Sequence, residues 1–231
     1  MFKATDLFDL KQTEHAVLFE GCTQAWEVLR KLADYIRENV RPVLYNRCEG
    51  GAFIGRDVFI GKGSVVEDGV MIKGPAIIGQ NCRIRHNAYI REHVIVGDDC
   101  VVGNSTELKN CLLFNGVQVP HFNYVGDSVL GFRVHLGAGV KISNLKIAEG
   151  TVWVEMDGRR VDTGLRKFGA LIGDHSEIGC NAVLNPGTIL GRHTLVYPNT
   201  CLRGVVPADS IVKNRAAVEI VSRRPMATAA S

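Results

Sequence analysis

The chain has 231 residues, 46% of them hydrophobic and 22% charged, with a net charge of +3 at pH 7. This composition is ordinary for a soluble globular protein of one or two domains, and the charge is too small to indicate a nucleic-acid partner. The apolar runs are too short to span a membrane, and the N-terminus, MFKATDLFDLKQTEH, lacks the apolar centre of a signal peptide. We therefore expect a cytoplasmic protein with no membrane partner.

Residues 1–45 have a helical pattern. Apolar residues follow helical spacing after Thr23, a shorter helix is predicted to begin at Thr5–Asp6, and Pro42 ends the helical part. The apolar face of the longer helix consists of Trp26, Leu29, Leu32 and Ile36. We interpret 1–45 as a helical cap or linker.

From residue 54 onward the sequence repeats every six residues. One aliphatic column contains Ile54, Ile60, Val66, Ile72, Ile78, Ile84, Ile90, Val96, Val102 and Leu108. Two residues before each stands a small or β-branched residue. A period of six fits neither a helix nor a plain strand and predicts a parallel β-helix, in which three steps make one triangular coil and residues 18 apart stack. The first coil of such a solenoid exposes unpaired backbone, so 1–45 is expected to cap it.

The repeat is disturbed twice and interrupted once. Within 108–113 and again within 125–130 the step shortens to five residues. The period is lost over 145–168, where alternating apolar residues flank Asp157-Gly158. That pattern predicts an inserted β-hairpin with a type I′ turn, projecting from the coil.

After the insertion the aliphatic column resumes at Ile172 and continues to Leu202. We predict one solenoid domain over 46–220 and a flexible tail over 221–231, which has no periodicity. The column positions add up to about seven coils, or a stem roughly 34 Å tall at the spacing of paired strands. Seven cysteines without a CxxC pair argue against disulfides or structural zinc. Three of them are predicted core residues in the small column: Cys82, Cys100 and Cys111.

One corner of the predicted coil carries three cations. Lys73, Arg91 and Lys109 are each 18 residues apart and are expected to stack about 5 Å from one another. Two such neighbours repel by about 0.8 kcal/mol in water and roughly 3 kcal/mol at a surface-like dielectric constant. Either the side chains splay into solvent, or the corner binds an anion such as phosphate, which converts the repulsion into attraction.

The segment VPHFNYVGD (119–127) concentrates polar and aromatic residues between the two shortened steps. A histidine on a solenoid is most often a corner residue, but shortened steps re-aim side chains, and Glu107 and Lys109 lie one turn earlier. A neutral imidazole can remove a proton near pH 7, which makes His121 a candidate general base. Four histidines also invite a metal-site interpretation, which the seven-residue spacing of His86 and His93 disfavours because it puts them on different faces.

The stretch VGNSTELKNCLLFNGVQVPHFNYVGDSVLGFRVHLGAGVKISN (102–144) resembles the acetyltransferase domain of bifunctional glucosamine-1-phosphate acetyltransferase/N-acetylglucosamine-1-phosphate uridylyltransferases. RRVDTGLRKFGALIGDHSEIG (159–179) is most similar to the archaeal sugar-1-phosphate nucleotidylyltransferase/acetyltransferases. The match covers residues 75–224 and does not include the family's nucleotidyltransferase domain. The resemblance implies a left-handed β-helix, a homotrimer with active sites between subunits, and acetyl-CoA as acyl donor without a required metal.

Several roles follow from this resemblance, position by position. His121 is expected to deprotonate the sugar ammonium, Glu107 to orient His121, and Asn144 to contact the reacting amine and acetyl group. The residues expected to bind the sugar-1-phosphate are Arg91, Lys109, Tyr124 and Lys167. Two of these belong to the stacked cations found without the family, so the two arguments converge.

The chain departs from the family at two positions. Cys180 stands where the family has a serine near the oxyanion and thioester, so the backbone N–H is kept and the hydroxyl is lost. His135 replaces a second sugar-contacting asparagine, which leaves the amino sugar open. The donor is expected to lie along the wall towards the C-terminal coils, unless the cations there are simply solvated. The residues assigned to it are Cys180, Pro198, Arg203 and Arg215.

The sequence therefore predicts an acetyl-CoA-dependent N-acetyltransferase acting on an amino-sugar-1-phosphate, glucosamine- or galactosamine-1-phosphate, in nucleotide-sugar biosynthesis. Two alternatives stay open. The acceptor could be a nucleotide-linked amino sugar, or the chain could be a non-catalytic trimerising or regulatory module for a separate nucleotidyltransferase partner.

Overall fold

The computed structural model describes residues 3–44, 47–48, 50–156, 158–215 and 221. The N-terminal segment contains two α-helices, α1 (Ala4–Leu7) and α2 (Val28–Asn39). It also contains three 3₁₀ turns, at Leu10–Gln12, Ala16–Phe19 and Ala25–Glu27. The helical predictions for this segment are confirmed, with an amphipathic α2 that ends before Pro42. No helix in the described ranges is long and apolar enough to cross a membrane.

The rest of the chain is a parallel β-helix with three faces. Face 1 is a nine-stranded sheet of Arg47–Cys48, Val65–Val66, Arg83–Ile84, Val101–Asn104, Gln118–His121, His135–Leu136, Glu177–Ile178, Leu195–Val196 and Ile211–Val212. Face 2 consists of Phe53–Ile54, Met71–Ile72, Tyr89–Ile90, Lys141–Ile142, Val183–Leu184 and Cys201–Leu202, with the first parts of Glu107–Leu113 and Tyr124–Leu130. Face 3 consists of Val58–Ile60, Ala76–Ile78, Val94–Val96, Ala170–Ile172, Thr188–Leu190 and Val205–Val206, with the last parts of those two long strands.

The two predicted columns form the core of the β-helix. Aliphatic side chains such as Ile72, Ile90 and Leu108 are fully buried inside the coil, as are the small residues Cys82 and Cys100. Parallel pairing joins residues one coil apart, for example Met71 with Tyr89 and Ile72 with Ile90. The predicted fold class, a left-handed parallel β-helix of hexapeptide repeats with an N-terminal helical part and an inserted hairpin, is confirmed.

The solenoid is taller than the predicted seven coils. Face 1 alone stacks nine strands, whose eight spacings of ~4.8 Å give a height of ~38 Å. The column count began at Ile54 and so missed Arg47–Cys48, and it missed the last two strands because the last coil is shorter: Ile189 pairs with Val205 and Leu195 with Ile211, 16 residues on in both cases (205 − 189 and 211 − 195). A coil of 16 residues is two residues shorter than three steps of six, so a count in steps of six does not reach its strands.

The two shortened steps reshape one corner. Glu107–Leu113 and Tyr124–Leu130 each run without a break from face 2 to face 3, and they pair with each other on both sides of the corner. The corner residues Asn110 and Asp127 have positive φ angles of 45° and 46°, respectively. Asparagine and aspartate tolerate this left-handed conformation better than other non-glycine residues. The predicted shortening is therefore real, and it tightens the corner between faces 2 and 3.

The inserted hairpin is also confirmed, with strands Trp153–Met156 and Arg159–Asp162. Asp157, and with it the predicted type I′ turn, lies outside the described residues. The hairpin does not simply project from the coil, because Val152 and Val154 are buried in the apolar cluster that covers face 3. The insertion packs in this way because its alternating apolar residues have an apolar surface to cover.

The N-terminal segment lies along face 3, so the expected cap over the first coil is wrong. Its apolar residues, including Leu32 and Ile36, share one cluster with the outward side chains of face 3. Those outward side chains come from six successive coils: Ile77, Ile95, Leu112, Val129, Leu171 and Ile189. An outward column that is apolar in six successive coils must be shielded from water. This column was the signal in the sequence that indicated a position of the N-terminal segment on face 3.

Hydrogen bonds fix the segment at several heights of the stem. The buried carboxylate of Asp174 accepts from the backbone N–H of Asp9 at 2.6 Å, and its own N–H donates to the Leu7 carbonyl. Further along the N-terminal segment, Arg30 donates to the carbonyl of Thr163, in the insertion, at 2.8 Å. The predicted boundaries at 45/46 and 220/221 and the predicted tail, Val221 excepted, fall on residues outside the described ranges.

We expect Leu32→Ala to destabilise the protein by about 2–5 kcal/mol, because Leu32 is fully buried between α2 and face 3 and its truncation leaves a cavity. Val17→Ala is the control, since Val17 is 50% exposed and its truncation should change stability by no more than about 0.5 kcal/mol. Urea unfolding curves of both variants measure the difference. Equal unfolding midpoints for the two variants would contradict the packing of α2 against face 3.

Candidate active site on face 2 and its two corners

The three cations of the corner between faces 2 and 3 stack as predicted. The backbone N–H of Lys73 donates to Ile90, and that of Arg91 donates to Leu108, so Lys73, Arg91 and Lys109 occupy equivalent places in successive coils. This corner directly follows the aliphatic column, where the chain leaves face 2. The geometry that an anion site would need is therefore present.

Carboxylates alternate with these cations, which the sequence analysis did not foresee. Arg91 Nη1 lies 2.9 Å from Glu107 Oε1, and Lys109 Nζ lies 3.6 Å from Asp127 Oδ2. Lys73 Nζ lies 3.6 Å from Glu92 Oε1. The hydrogen bond to Glu107 raises the pKa of the Arg91 guanidinium. These carboxylates offset the mutual repulsion of the cations, so the corner is less positive than three unpaired cations would make it.

Asp127 is a central residue of this corner that sequence reasoning missed. Its side chain is almost fully buried and accepts hydrogen bonds from the amides of Asn110, at 2.8 Å, and Asn144. Together with the ion pair to Lys109, these contacts bind the Asp127 carboxylate to polar groups of the coil before it and the coil after it. A buried aspartate with positive φ inside a shortened step was the available signal.

Tyr124 and Asn144 meet beside this carboxylate. Tyr124 stands on the outer side of face 2, paired between Glu107 and Lys141 of the adjacent coils. Partial burial raises the pKa of the Tyr124 phenol, so the hydroxyl stays protonated and can donate to an oxygen. A Cβ on Gly126 would approach within 2.6 Å of the Asn144 amide and 2.7 Å of the Tyr124 hydroxyl. Glycine at this position leaves room for both side chains.

The insertion returns Lys167 to the same corner. Leu145 and Lys167 form an antiparallel bridge, and the N–H of Phe168 donates to the carbonyl of Asn144 at 2.9 Å. The Lys167 side chain is exposed and makes no ion pair with any described residue. It is therefore the cation of this corner whose charge is not offset by a neighbouring carboxylate.

His121 lies at the other edge of face 2, in the corner between faces 1 and 2. It ends the strand Gln118–His121, three residues before Tyr124, and its ring is exposed. Within the described ranges the imidazole makes no hydrogen bond or ion pair. The expected pairing with Glu107 is not formed, because that carboxylate is bound to Arg91. The cations and the imidazole thus flank face 2 from opposite sides.

Two of the predicted donor residues stack below His121. Backbone hydrogen bonds run from Asn181 to Ala138 and from Asn199 to Cys180, and they align the corner through Ala138, Cys180 and Pro198. A shallow groove of about 350 Å³ runs beside this corner, with Cys180 and Pro198 in its wall. In the described part of the chain the backbone N–H of Cys180 donates no hydrogen bond. It is an available donor for a developing negative charge.

Three other predicted site residues, His135, Arg203 and Arg215, lie outside the stack formed by Cys180 and Pro198. His135 is on face 1, paired with Gln118 and Glu177, and its side chain reaches the edge of the same groove. Arg215 is exposed beyond the last strand of face 1. Arg203 does not line the groove with Cys180, since it lies at the corner between faces 2 and 3, beside the hairpin. Within one chain, Arg203 and Cys180 thus lie at opposite edges of face 2, and the assignment of Arg203 to the acyl donor stays a prediction.

Two family models match the chain. One is described as the GMPPB C-terminal domain and matches residues 72–162, and the other is the hexapeptide repeat of succinyl-transferase, matching residues 51–73. Both matches fall on the solenoid and its insertion. They agree with the six-residue period and with the fold it produces.

The curated relatives carry an acetyltransferase. A bifunctional sugar-1-phosphate nucleotidylyltransferase/acetyltransferase of Sulfurisphaera tokodaii is 42% identical over 94 residues, which cover 41% of this chain and 23% of the relative. The bifunctional protein GlmU of Methanococcus maripaludis is 31% identical over 121 residues, which cover 52% of this chain and 29% of the relative. The chain thus matches less than a third of these relatives, in their C-terminal acetyltransferase region, which confirms the predicted resemblance.

Solved structures with this architecture include the UDP-N-acetylglucosamine acyltransferase of Francisella novicida. It aligns with 72% of this chain and 64% of its own, at 16% identity and a TM-score of 0.32. A match at this level carries no information about function. The resemblance to hexapeptide-repeat acetyltransferases, which supports an acyltransferase, rests on the curated relatives.

We expect Asp127→Asn to lower stability by about 1–3 kcal/mol, because an amide nitrogen would replace an acceptor that faces the amides of Asn110 and Asn144. Asp57→Asn is the matched control: the Asp57 side chain is exposed, and its loss of charge should change stability by no more than about 0.5 kcal/mol. Chemical denaturation compares the two. If Asp127→Asn proves as stable as Asp57→Asn, Asp127 does not stabilise this corner.

Proposed function

We propose that this protein transfers the acetyl group of acetyl-CoA to the amine of an amino-sugar-1-phosphate. The observation that carries the proposal is the arrangement on face 2, where His121 stands at one edge and Arg91, Lys109 and Lys167 stand at the other. A sugar placed across this narrow face can present its amine to the imidazole and its phosphate to the cations. The acetyltransferase region of the curated relatives supports the same chemistry.

In the proposed reaction, the His121 imidazole takes a proton from the sugar ammonium, and the freed amine attacks the thioester carbonyl. A C–N bond forms and the carbonyl oxygen becomes an oxyanion in a tetrahedral intermediate, and the proposal assigns its stabilisation to the N–H of Cys180, which donates to no described residue. The attacking nitrogen loses its second proton to solvent, the intermediate collapses with cleavage of the C–S bond, and the imidazolium returns its proton to the departing thiolate. The expected contact of Asn144 with the amine requires its amide, now bound to Asp127, to turn towards the substrate.

We propose a homotrimer with sites between subunits. Face 3 is covered by the N-terminal segment, which leaves faces 1 and 2 for contacts between copies. Exposed apolar side chains concentrate there, beginning with Phe122, which is 61% exposed next to His121. The others are Phe53, Met71, Leu195, Tyr197 and Ile211. A second copy over this surface would shield the reaction from water.

His121→Ala should lower kcat/KM for thiol release from acetyl-CoA by about 10²–10⁴-fold, because it removes the general base. His86→Ala is the matched control: His86 lies in the same corner of an earlier coil, where its ring is bonded to the carbonyl of Asp68. Sedimentation of both variants should show the same assembly as the unaltered protein. Unchanged turnover in His121→Ala would exclude this residue as the base.

Lys167→Gln should raise KM for glucosamine-1-phosphate about tenfold or more, since it removes a cation that has no carboxylate partner of its own. The same change should leave KM for free glucosamine nearly unaltered. Arg166→Gln is the control, because that guanidinium hydrogen bonds within the insertion, to the carbonyl of Gly150. An equal effect on both acceptors would mean that Lys167 does not read the phosphate.

A comparison of acceptors separates the remaining candidates. Thiol release is measured with glucosamine-1-phosphate, galactosamine-1-phosphate and nucleotide-linked amino sugars. Release with none of them would favour a non-catalytic module that binds a nucleotidyltransferase.

A further inference from the structure

A second groove lies on the same side of the stem as the cationic corner. It has a volume of about 420 Å³ and runs between the inserted hairpin and the last coils. Trp153, Glu155 and Arg160 line it from the hairpin, and Arg203 lines it from the solenoid. Gly187 and Gly204 form its base. This volume is within the range of small-molecule sites in proteins.

The lining combines three kinds of recognition chemistry. Trp153 is 38% exposed despite its size, and the Arg160 guanidinium lies 5.7 Å from the centroid of its ring. Exposed aromatic rings stacked with arginine are common platforms for nucleic-acid bases. The guanidinium of Arg203 is exposed on the opposite wall, where it can bind a phosphate. The carboxylate of Glu155 is an acceptor of the kind that binds ribose hydroxyl groups.

The groove is aligned with the sugar-phosphate corner. Ser143 donates to Leu184, and Asn185 donates to Leu202, so Arg203 lies two coils beyond Ser143 at the same corner. Lys167 returns beside Leu145, so Arg203 lies about two coils, or ~10 Å, beyond Lys167 and four coils, or ~19 Å, beyond Lys109. A diphosphate and a ribose can span the shorter of these distances. The groove beside Cys180 and Pro198 lies at the other edge of face 2. The hairpin groove therefore continues the acceptor side of the site.

We propose that the hairpin groove binds a nucleoside phosphate, with the base against Trp153 and the phosphates on Arg160 and Arg203. It extends the acceptor site, so that the enzyme acetylates the nucleoside-diphosphate-linked form of its amino sugar. This second statement rests on the proposed function, whereas nucleotide binding does not. The hairpin then acts as the element that determines acceptor specificity.

Binding is tested on the full chain without acetyl-CoA. UDP, GDP, dTDP and adenosine 3′,5′-bisphosphate are titrated while tryptophan fluorescence is recorded. Trp153 is the exposed one of the two tryptophans, since Trp26 is only 2% exposed, so the signal reports on the groove. Calorimetry gives Kd for the variants. We expect saturable quenching by at least one nucleoside diphosphate, a Kd about tenfold or more higher in Trp153→Ala, and about fivefold or more higher in Arg203→Gln.

Arg159→Gln is the matched control, because it removes an exposed arginine from the same hairpin that does not line the groove. Its Kd should equal that of the unaltered protein. Absence of saturable binding, or equal Kd values in all three variants, would overturn the proposal. Binding confined to adenosine 3′,5′-bisphosphate and weakened by Trp153→Ala would place the donor in this groove and overturn the acceptor assignment.

Turnover supplies the second readout. Trp153→Ala should lower kcat/KM about tenfold or more for a UDP-linked amino sugar and leave that for glucosamine-1-phosphate unchanged. A parallel loss for both acceptors would contradict a nucleotide-reading role. If no acceptor releases thiol while UDP still binds, the proposed function fails and the nucleotide site stands, so the two failures are distinguishable.

Discussion

The constraint on which the rest of the structure depends is the burial of two side-chain columns inside every coil. Residues such as Ile72 and Cys82 are fully enclosed, so the chain cannot shift register along a strand without turning core residues outward. Parallel pairing then places each outward residue directly above its counterpart in the next coil. In this way burial inside the stem determines which polar groups meet on its surface.

The two shortened steps alter this stacking at the corner between faces 2 and 3. The two five-residue steps bring Asn110 and Asp127 into register at one corner, and the short distance between coils lets Asp127 bind groups from neighbouring coils. A regular six-residue repeat would keep a wider turn there. His121 precedes Tyr124 by the same three residues that separate Asn104 from Glu107 in the preceding coil, so its corner keeps the regular step. The shortened steps therefore shape the cationic edge of face 2, whereas the regular repeat positions His121 at the other edge.

The sequence predicted what is periodic and could not predict what depends on side-chain reach. The columns, the shortened steps, the hairpin and the stacking of Arg91 on Lys109 all follow from spacing. The pairing of Arg91 with Glu107 does not, because a long flexible guanidinium can reach several partners and spacing does not select one. The position of α2 was missed for another reason: only the two inward columns were followed along the sequence, and the outward apolar column of face 3, which needs a cover, was not considered.

The N-terminal segment, which covers face 3, also supports the insertion that carries Lys167. Val152 and Val154 of the insertion pack in the same cluster as Trp26 and Phe168, and Arg30 of α2 binds the Thr163 carbonyl. The hairpin is therefore held between the N-terminal segment and the corner where Lys167 returns to Asn144. Because a two-stranded hairpin is marginally stable on its own, its position depends on this packing. The N-terminal segment, packed on the outer side of face 3, thus helps to position the hairpin groove and Lys167.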